Sequence, residues 1–228
     1  MPGMLDGKTA IVTCADQFMG PATCELFAAE GAAVKADTRD LSPAEAPRLL
    51  IEEAGCPDIL IVNLAAPSSP NTPIEELDDD TWTSKFDVMV HPLFRLLHEV
   101  LPTMKERRSG KVVVFGSATG LRSMAKVSAY SAARSAQVGL VKAAGLEAAP
   151  FNVQVNLIAQ NYVENPDYYP PELVATERFQ KHLARNVPAG RLATGLEDAQ
   201  LALFLASSQS DFIVGHALPF SGGWTLNG

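Results

Sequence analysis

Several things are scarce in this sequence, and each scarcity removes a class of function. Basic residues are outnumbered, with 18 Lys and Arg against 26 Asp and Glu over 228 residues and a net charge of −8. Nucleic acid and anionic membrane surfaces call for a basic face, so neither is expected as a partner. A local anion site stays open, because backbone amides bind anions without any net charge. Cysteine is sparse as well. Cys14, Cys24 and Cys56 form no CxxC pair and are odd in number, which suits a reducing compartment where each is a small buried residue. The segment Met1–Lys8 lacks the apolar core of a signal peptide. No stretch approaches the roughly 18 uninterrupted apolar residues of a membrane span. A cytoplasmic protein is expected. His91, His98, His182 and His216 are scattered, without an HxxxH or a carboxylate–histidine cluster, so no metal is expected. No composition shift, repeat or low-complexity tract breaks the chain, and residues 1–228 read as a single domain.

What is present is a 47% hydrophobic content arranged as short apolar runs that alternate with helical spacing. Strand character falls at Lys8–Thr13, Ala33–Asp37, Asp58–Asn63, Lys111–Ser117, Val153–Ile158, Phe212–Val214 and Ala217–Phe220. Helical patterns fall at Gly20–Glu30, Pro43–Ala54, Thr81–Arg107 with kinks expected near Pro92 and Pro102, 127–149, 172–186 and 195–207. Turn chemistry marks 67–73 and Gln160–Pro171 as loops. The run Asp58–Asn63 is too apolar to be half-exposed, as expected where helices cover both faces. The alternation predicts an α/β fold, a Rossmann-like doubly wound parallel sheet.

In such folds ligands bind at the carboxyl ends of the strands, beside the first strand-to-helix turn. A dinucleotide needs glycines there so that the backbone can approach the pyrophosphate. Thr13-Cys-Ala-Asp-Gln-Phe18-Met-Gly20 keeps one glycine and places Cys14 and Phe18 where others would be needed. Phe18 reads equally as a core residue and as a pocket wall. Asp37 ends the second strand, where a nicotinamide enzyme uses an acid for the ribose; here it reads as a leftover of the fold. Cys14 has no base beside it, and Glu75–Asp80 reads as a solvated acidic run at a helix start.

Further along, a hydroxyl at the end of an apolar strand, Ser117, precedes Tyr130 and Arg134. On a helix Tyr130 and Arg134 are an i,i+4 pair on one face. A fixed positive charge lowers a phenol's pKa from about 10. A serine opposite can hold a substrate oxygen in line with the phenol, so the trio suits general-base removal of an alcohol proton. The bare spacing also allows Tyr130 merely to pack and Arg134 to cap a surface.

Ser117, Tyr130 and the strand–helix layout resemble the short-chain dehydrogenase/reductase fold, with both of its signatures altered. Thr13-x4-Phe18-x-Gly20 stands in place of the glycine-rich turn, and Ser117-x12-Tyr130-x3-Arg134 in place of the tyrosine–lysine pair. That pairing resembles the halohydrin (haloalcohol) dehalogenases end to end, and Asn156–Gln160, Val187–Thr194, Asp198–Ser207 and Ser210–Gly215 resemble the B-type in particular. The resemblance implies a cofactor-independent lyase that converts vicinal halohydrins to epoxides, halide and a proton. In reverse it implies opening of epoxides with halide, azide, cyanide or nitrite. It assigns Tyr130 as base, Arg134 as its activator and Ser117 as the holder of the substrate oxygen. It implies a halide against backbone amides and aromatic edges in the loop after the sixth strand, matched here by Gln160, Asn161, Tyr162 and Val163, followed by Tyr168 and Tyr169, which also read as packing residues; Phe18 is counted with the halide- and substrate-binding set. It further implies a homotetramer joined through the helices of 81–107 and 127–149. Phe86 and Pro92 read as core rather than as substrate walls. A chain ending at Trp224–Gly228 is expected to lack the tryptophan that some relatives extend into a neighbouring subunit, leaving a more open site. Two other readings remain: an NAD(P)-dependent oxidoreductase with an atypical first turn, and a catalytically silent binding or regulatory relative.

Overall fold

A computed structural model describes residues 2–64, 66 and 72–226, so most of the loop expected over 67–73 lies outside the described residues. Six strands form one parallel sheet: β1 (Thr9–Val12), β2 (Ala33–Ala36), β3 (Ile59–Val62), β4 (Gly110–Ser117), β5 (Val153–Gln160) and β6 (Ala217–Phe220). Their order is β2-β1-β3-β4-β5-β6, the doubly wound arrangement that the alternating pattern predicts. Eight helices connect them: α1 (Gly20–Ala29), α2 (Ala46–Ala54), α3 (Asp79–Met89), α4 (His91–Glu106), α5 (Ser128–Ala148), α6 (Pro171–Val174), α7 (Glu177–Asn186) and α8 (Gly195–Ala206).

The period-2 geometry of the strands sorts the core into two layers. Ile11, Leu60, Val62, Val112 and Val114 face Leu50, Leu96 and Val141 of α2, α4 and α5. Their neighbours Val12, Ile61, Val113 and Phe115 face the opposite way, toward Phe27 of α1 and Ala202 and Leu205 of α8. Burial on both faces is why β3 reads Ile-Leu-Ile-Val with no polar residue.

Three boundaries differ from the sequence expectation. Thr81–Arg107 is two helices rather than one kinked helix, because the chain breaks at Val90 and Pro92 enters α4 in its first turn, where its missing N–H costs nothing. The pattern over 172–186 splits into α6 and α7, since Thr176 caps α7 by accepting from the Phe179 N–H. Phe212–Val214 is not a strand. The Ile213 N–H turns back onto Ser210 O, Asn156 Nδ2 donates to Ile213 O at 2.7 Å, and Phe212 projects fully into solvent. The Gln160–Val163 stretch also follows the fifth strand here rather than the sixth.

The sheet order reverses between β1 and β3, and the carboxyl ends there and along β4 and β5 deliver Thr13, Asn63, Ser117 and Gln160 to one edge. Asn63 ties the first turn to β3: its Nδ2 donates to Cys14 O at 3.0 Å and to Gln17 O at 2.9 Å. Gly20 is required where the turn closes, since a Cβ there would lie 2.6 Å from the backbone of Cys14 and Ala15.

Asp198 on α8 is fully buried and neither of its carboxylate oxygens has a partner. Burial pushes its carboxyl up to about 8, against about 3.9 in an unfolded chain. The folded state therefore holds a proton that the unfolded state gives up, so this group's contribution is most favourable below pH 4 and is lost as pH rises toward 8. Asp198→Asn is expected to raise the thermal midpoint at pH 8 by several degrees, on a scale of roughly 2–4 °C per kcal/mol, and to raise it much less at pH 4. An equal change at both pH values would show that ionisation of Asp198 is not the cause.

Candidate active site

The carboxyl edge of the sheet holds a small cavity of about 70 Å³. Ser117 and Tyr130 line it from β4 and α5, Arg134 one helical turn further on, and Phe18 from the first turn. Gln160, Asn161, Tyr162 and Val163 line it from β5 and the loop beyond, with Tyr168 and Tyr169 closing the side. All the residues singled out in the sequence for catalysis or anion binding thus meet in one place. All four tyrosines of the chain are among them.

Arg134 sets the electrostatics. It is 2% exposed, and its guanidinium lies 5.0 Å from the centroid of the Tyr130 ring. It donates to Leu64 O at 3.0 Å, to Phe115 O at 3.3 Å and to Gln137 Oε1 at 2.9 Å, while Nε is left without a partner. Those acceptors are neutral, and among the described residues no carboxylate forms an ion pair with it. A buried cation without a counter-ion favours any neighbour able to become an anion. Burial on its own raises the Tyr130 phenol. The Arg134 charge, with hydrogen bonds to Arg134 and Ser117, outweighs that and leaves it below its ordinary value. The other three phenols move the opposite way, each raised chiefly by burial.

Supporting groups that the sequence pattern does not mark hold this arrangement. Gln137 sits one turn beyond Arg134 on the same face, and its Nε2 donates to Met89 O at 2.9 Å, which fixes the oxygen that Arg134 uses. The i,i+3 spacing from Arg134 was the available signal. Thr119 Oγ1 lies 2.9 Å from Ser117 Oγ and its N–H donates to that oxygen at 3.2 Å. Tyr168 Oη donates to Ala66 O at 2.5 Å, and its ring lies 5.7 Å from Phe18. Asn165 and Met19 complete the lining.

Phe18 and Cys14 both sit in the left-handed region, with φ of +48° and +43°, a conformation that favours glycine. The turn keeps a glycine-like backbone while carrying a ring and a thiol. Burial, and then Asp16, Asp37 and Asp40, push the Cys14 thiol up to about 11, so it is not a thiolate. At the other wall Tyr162 is also left-handed, at φ +58°. Its N–H is taken by Asn161 Oδ1 at 3.0 Å, and the same oxygen accepts from Tyr169 Oη at 3.3 Å. The Val163–Ala193 bridge is made by Ala193 N–H to Tyr162 O and Glu164 N–H to Ala193 O, which does not use the Val163 N–H. Gln160 presents a buried side-chain oxygen with no partner.

Other candidates lie elsewhere. Phe86 packs on Trp82 and against the cluster beneath Tyr130, and Pro92 is buried in α4; neither lines the cavity. Asp37 is ion-paired to Arg39 at 2.7 Å. Trp224 is buried within its own chain under the Arg122 guanidinium at 4.7 Å, edge-on to Tyr162. Among the described residues no three His, Cys, Asp or Glu side chains gather to hold a metal, and no helix is long and apolar enough to cross a membrane.

The opposed shifts predict a resolved phenol titration. Ultraviolet difference spectroscopy should show one tyrosine ionising below its ordinary range and three above it. Tyr130→Phe should remove the early step, and Arg134→Gln should move it upward. Four tyrosines ionising together at or above the ordinary phenol value of about 10 would refute this electrostatic arrangement.

The family model described as enoyl-(acyl carrier protein) reductase matches residues 28–225. Oxidoreductase UcpA of Salmonella typhimurium is 31% identical across 98% of this chain and 97% of its own length. A solved "Dehalogenation enzyme" superposes with a TM-score of 0.88 at 32% identity, covering 97% of this chain and 99% of its own. Halohydrin dehalogenase (HheC), solved bound to ethyl (2S)-oxiran-2-ylacetate, superposes at 0.84 with 25% identity, over 94% of this chain and 96% of its own. With a family match running from the first helix to the C-terminal turn, and a sheet wound in the same way, the chain belongs to the short-chain dehydrogenase/reductase superfamily.

Proposed function

We propose that this superfamily member is a halohydrin dehalogenase, a cofactor-independent lyase acting on vicinal haloalcohols. The observation that carries the reading is Phe18: its ring occupies the first turn, packs on Tyr168 with centroids 5.7 Å apart, and lines with Ser117 and Tyr130 a cavity of about 70 Å³. Pockets for drug-sized ligands run to about 300–1,000 Å³, so this space suits a small alcohol and an anion. The dehalogenase likenesses, at 32% and 25% identity, support the same reading.

The chemistry balances without an electron acceptor. Tyr130 as phenolate takes the proton of the substrate hydroxyl, and Ser117 hydrogen-bonds the same oxygen. That oxygen forms its new bond to the neighbouring carbon from behind as the carbon–halogen bond breaks, giving epoxide, halide and a proton. The halide departs into the space between Phe18 and the Gln160–Val163 wall, where the Val163 N–H and a Gln160 amide turned inward supply donors. In reverse, halide, azide, cyanide or nitrite opens the epoxide and Tyr130 returns the proton.

A second reading, an NAD(P)-dependent oxidoreductase, is favoured by relatives such as UcpA at 31% identity. It is also favoured by the unpartnered Asp37 Oδ2 at the end of β2, where a ribose hydroxyl could donate. Against it, Phe18 and Cys14 stand where the backbone must approach a pyrophosphate, so the turn does not fit a dinucleotide.

Bromide and proton release from a simple vicinal bromoalcohol, without nucleotide, should be measurable for the wild type. Tyr130→Phe should lower it by at least about 10²-fold, the scale of a lost general base. The wild-type kcat/KM should rise with pH and level off above the depressed Tyr130 pKa, and in Arg134→Gln that limb should move to higher pH. No release from a panel of small and aryl halohydrins, together with NADH binding seen by fluorescence, would transfer the assignment to the oxidoreductase.

A further inference from the structure

A second, wider cavity of about 520 Å³ abuts the first, and Asn161, Tyr162 and Tyr169 line both. The stacked rings of Tyr162 and Tyr169, with centroids 5.9 Å apart, form the shared wall. Apolar side chains extend that wall: Phe179 packs on Tyr169 at 5.7 Å, and the lining residues Met124 and Leu173 are 46% and 40% exposed. Large apolar side chains left open beside a reacting site are surface that a bound substituent would cover.

The polar groups of this lining are already engaged, with one exception. Thr176 Oγ1 donates to Leu173 O at 2.7 Å and accepts from the Phe179 N–H at 3.2 Å. His182 meets the Tyr162 hydroxyl at 2.9 Å through Nε2 and Asn186 at 3.2 Å through Nδ1. Arg178 lines the cavity, and none of the side-chain hydrogen bonds or ion pairs among the described residues involves its guanidinium. Its neighbour Glu177 is turned to Lys181 at 2.6 Å. No Asp or Glu lines the cavity, in a chain whose net charge is −8. The local field therefore has the sign opposite to that of the molecule as a whole, and its fixed source is a planar guanidinium suited to a carboxylate.

We propose that this cavity is a substrate subsite for an apolar arm ending in a carboxylate, with the arm lying along Tyr162, Tyr169 and Phe179 and the carboxylate paired with Arg178. The inference rests on the dehalogenase reading of the adjoining site and narrows its substrate to a halohydrin or epoxide bearing an acidic side chain. The reacting carbons occupy the small cavity and the arm passes over Asn161 into the large one. Arg178 does not touch the reacting atoms; it confers specificity on the remote end.

The test compares a bromohydrin carrying an ω-carboxyalkyl arm with its methyl ester, in the wild type, Arg178→Gln and Arg178→Lys. The readout is the acid-to-ester ratio of kcat/KM within each protein. The wild type should favour the acid by roughly tenfold, the scale of one partly exposed charge-assisted pair, and the preference should appear in KM. Arg178→Gln should abolish it, Arg178→Lys should retain part of it, and salt at about 0.5 M should weaken it. Calorimetry with unreactive 5-phenylpentanoate and its amide provides a measurement independent of turnover: the acid should bind more weakly to Arg178→Gln, and the amide equally to both. Turnover with equal acid and ester ratios in all three proteins overturns the subsite and leaves the dehalogenase standing. If no halohydrin turns over, acid binding that depends on Arg178 keeps the anionic subsite and removes only the dehalogenase. Acid binding indifferent to Arg178 overturns the subsite outright.

Discussion

A guanidinium buried without a carboxylate is the constraint on which this site depends. Taking a cation out of water costs several kcal/mol unless its surroundings repay it, and Arg134 is repaid by Leu64 O, Phe115 O and Gln137 Oε1. These acceptors engage Nη1 and carry no formal charge. Beside it lies the Tyr130 phenol, its ring centroid 5.0 Å away and buried with it, and the Arg134 charge holds that phenol below its ordinary value. The pair is therefore best understood as one unit whose charge is shared, with Ser117 hydrogen-bonding to its negative end. A lysine in the same place would present a single ammonium point, whereas the planar guanidinium holds its acceptors through Nη1 while lying over the Tyr130 ring.

That unit works only because the opposite wall is close. The first turn runs through left-handed residues at Cys14 and Phe18 and is pinned from β3 by both hydrogens of the Asn63 amide. Gly20 lets α1 begin directly against that turn. The result is that a phenyl ring, rather than backbone, is presented to the cavity. Substituting a ring for the bare amides of a phosphate cradle removes anion donors from this side, so any anion must find its donors on the β5 wall. There the left-handed Tyr162 turns its own N–H onto Asn161 and leaves Val163 and Gln160 facing inward.

Most of this arrangement was legible in the sequence because it is carried by strand ends, and strand ends are where alternating runs stop. Ser117 closes β4, so the apolar pattern itself located it, whereas Gln160, which closes β5 two residues beyond the expected strand end at Ile158, was reached through the family resemblance. The fold was legible for the same reason: both faces of β3 and β4 are covered, and an uninterrupted apolar run has no other stable place. What escaped was of two kinds. Gln137 and Asn63 act through side-chain amides on distant backbone carbonyls, and such contacts have no sequence period. The division at Val90 and the loss of a strand at Phe212–Val214 escaped because local hydrophobicity cannot tell a strand from an apolar turn on the surface, and Phe212 is fully exposed.

The charge of the molecule and the charge of its sites point in opposite directions, and the difference is informative. A net charge of −8 should repel small anions from the surface at long range, but that field is screened within about 8 Å at physiological ionic strength. Inside the small cavity the fixed charge is Arg134, held where water cannot screen it. Around the large one it is Arg178, at the rim and within reach of solvent. Buried positive charge acts on the equilibrium of a neighbouring proton, and rim charge acts on capture of a ligand. One chain thus places a cation at each of two depths beside the same pair of tyrosine rings, and depth alone assigns them different work.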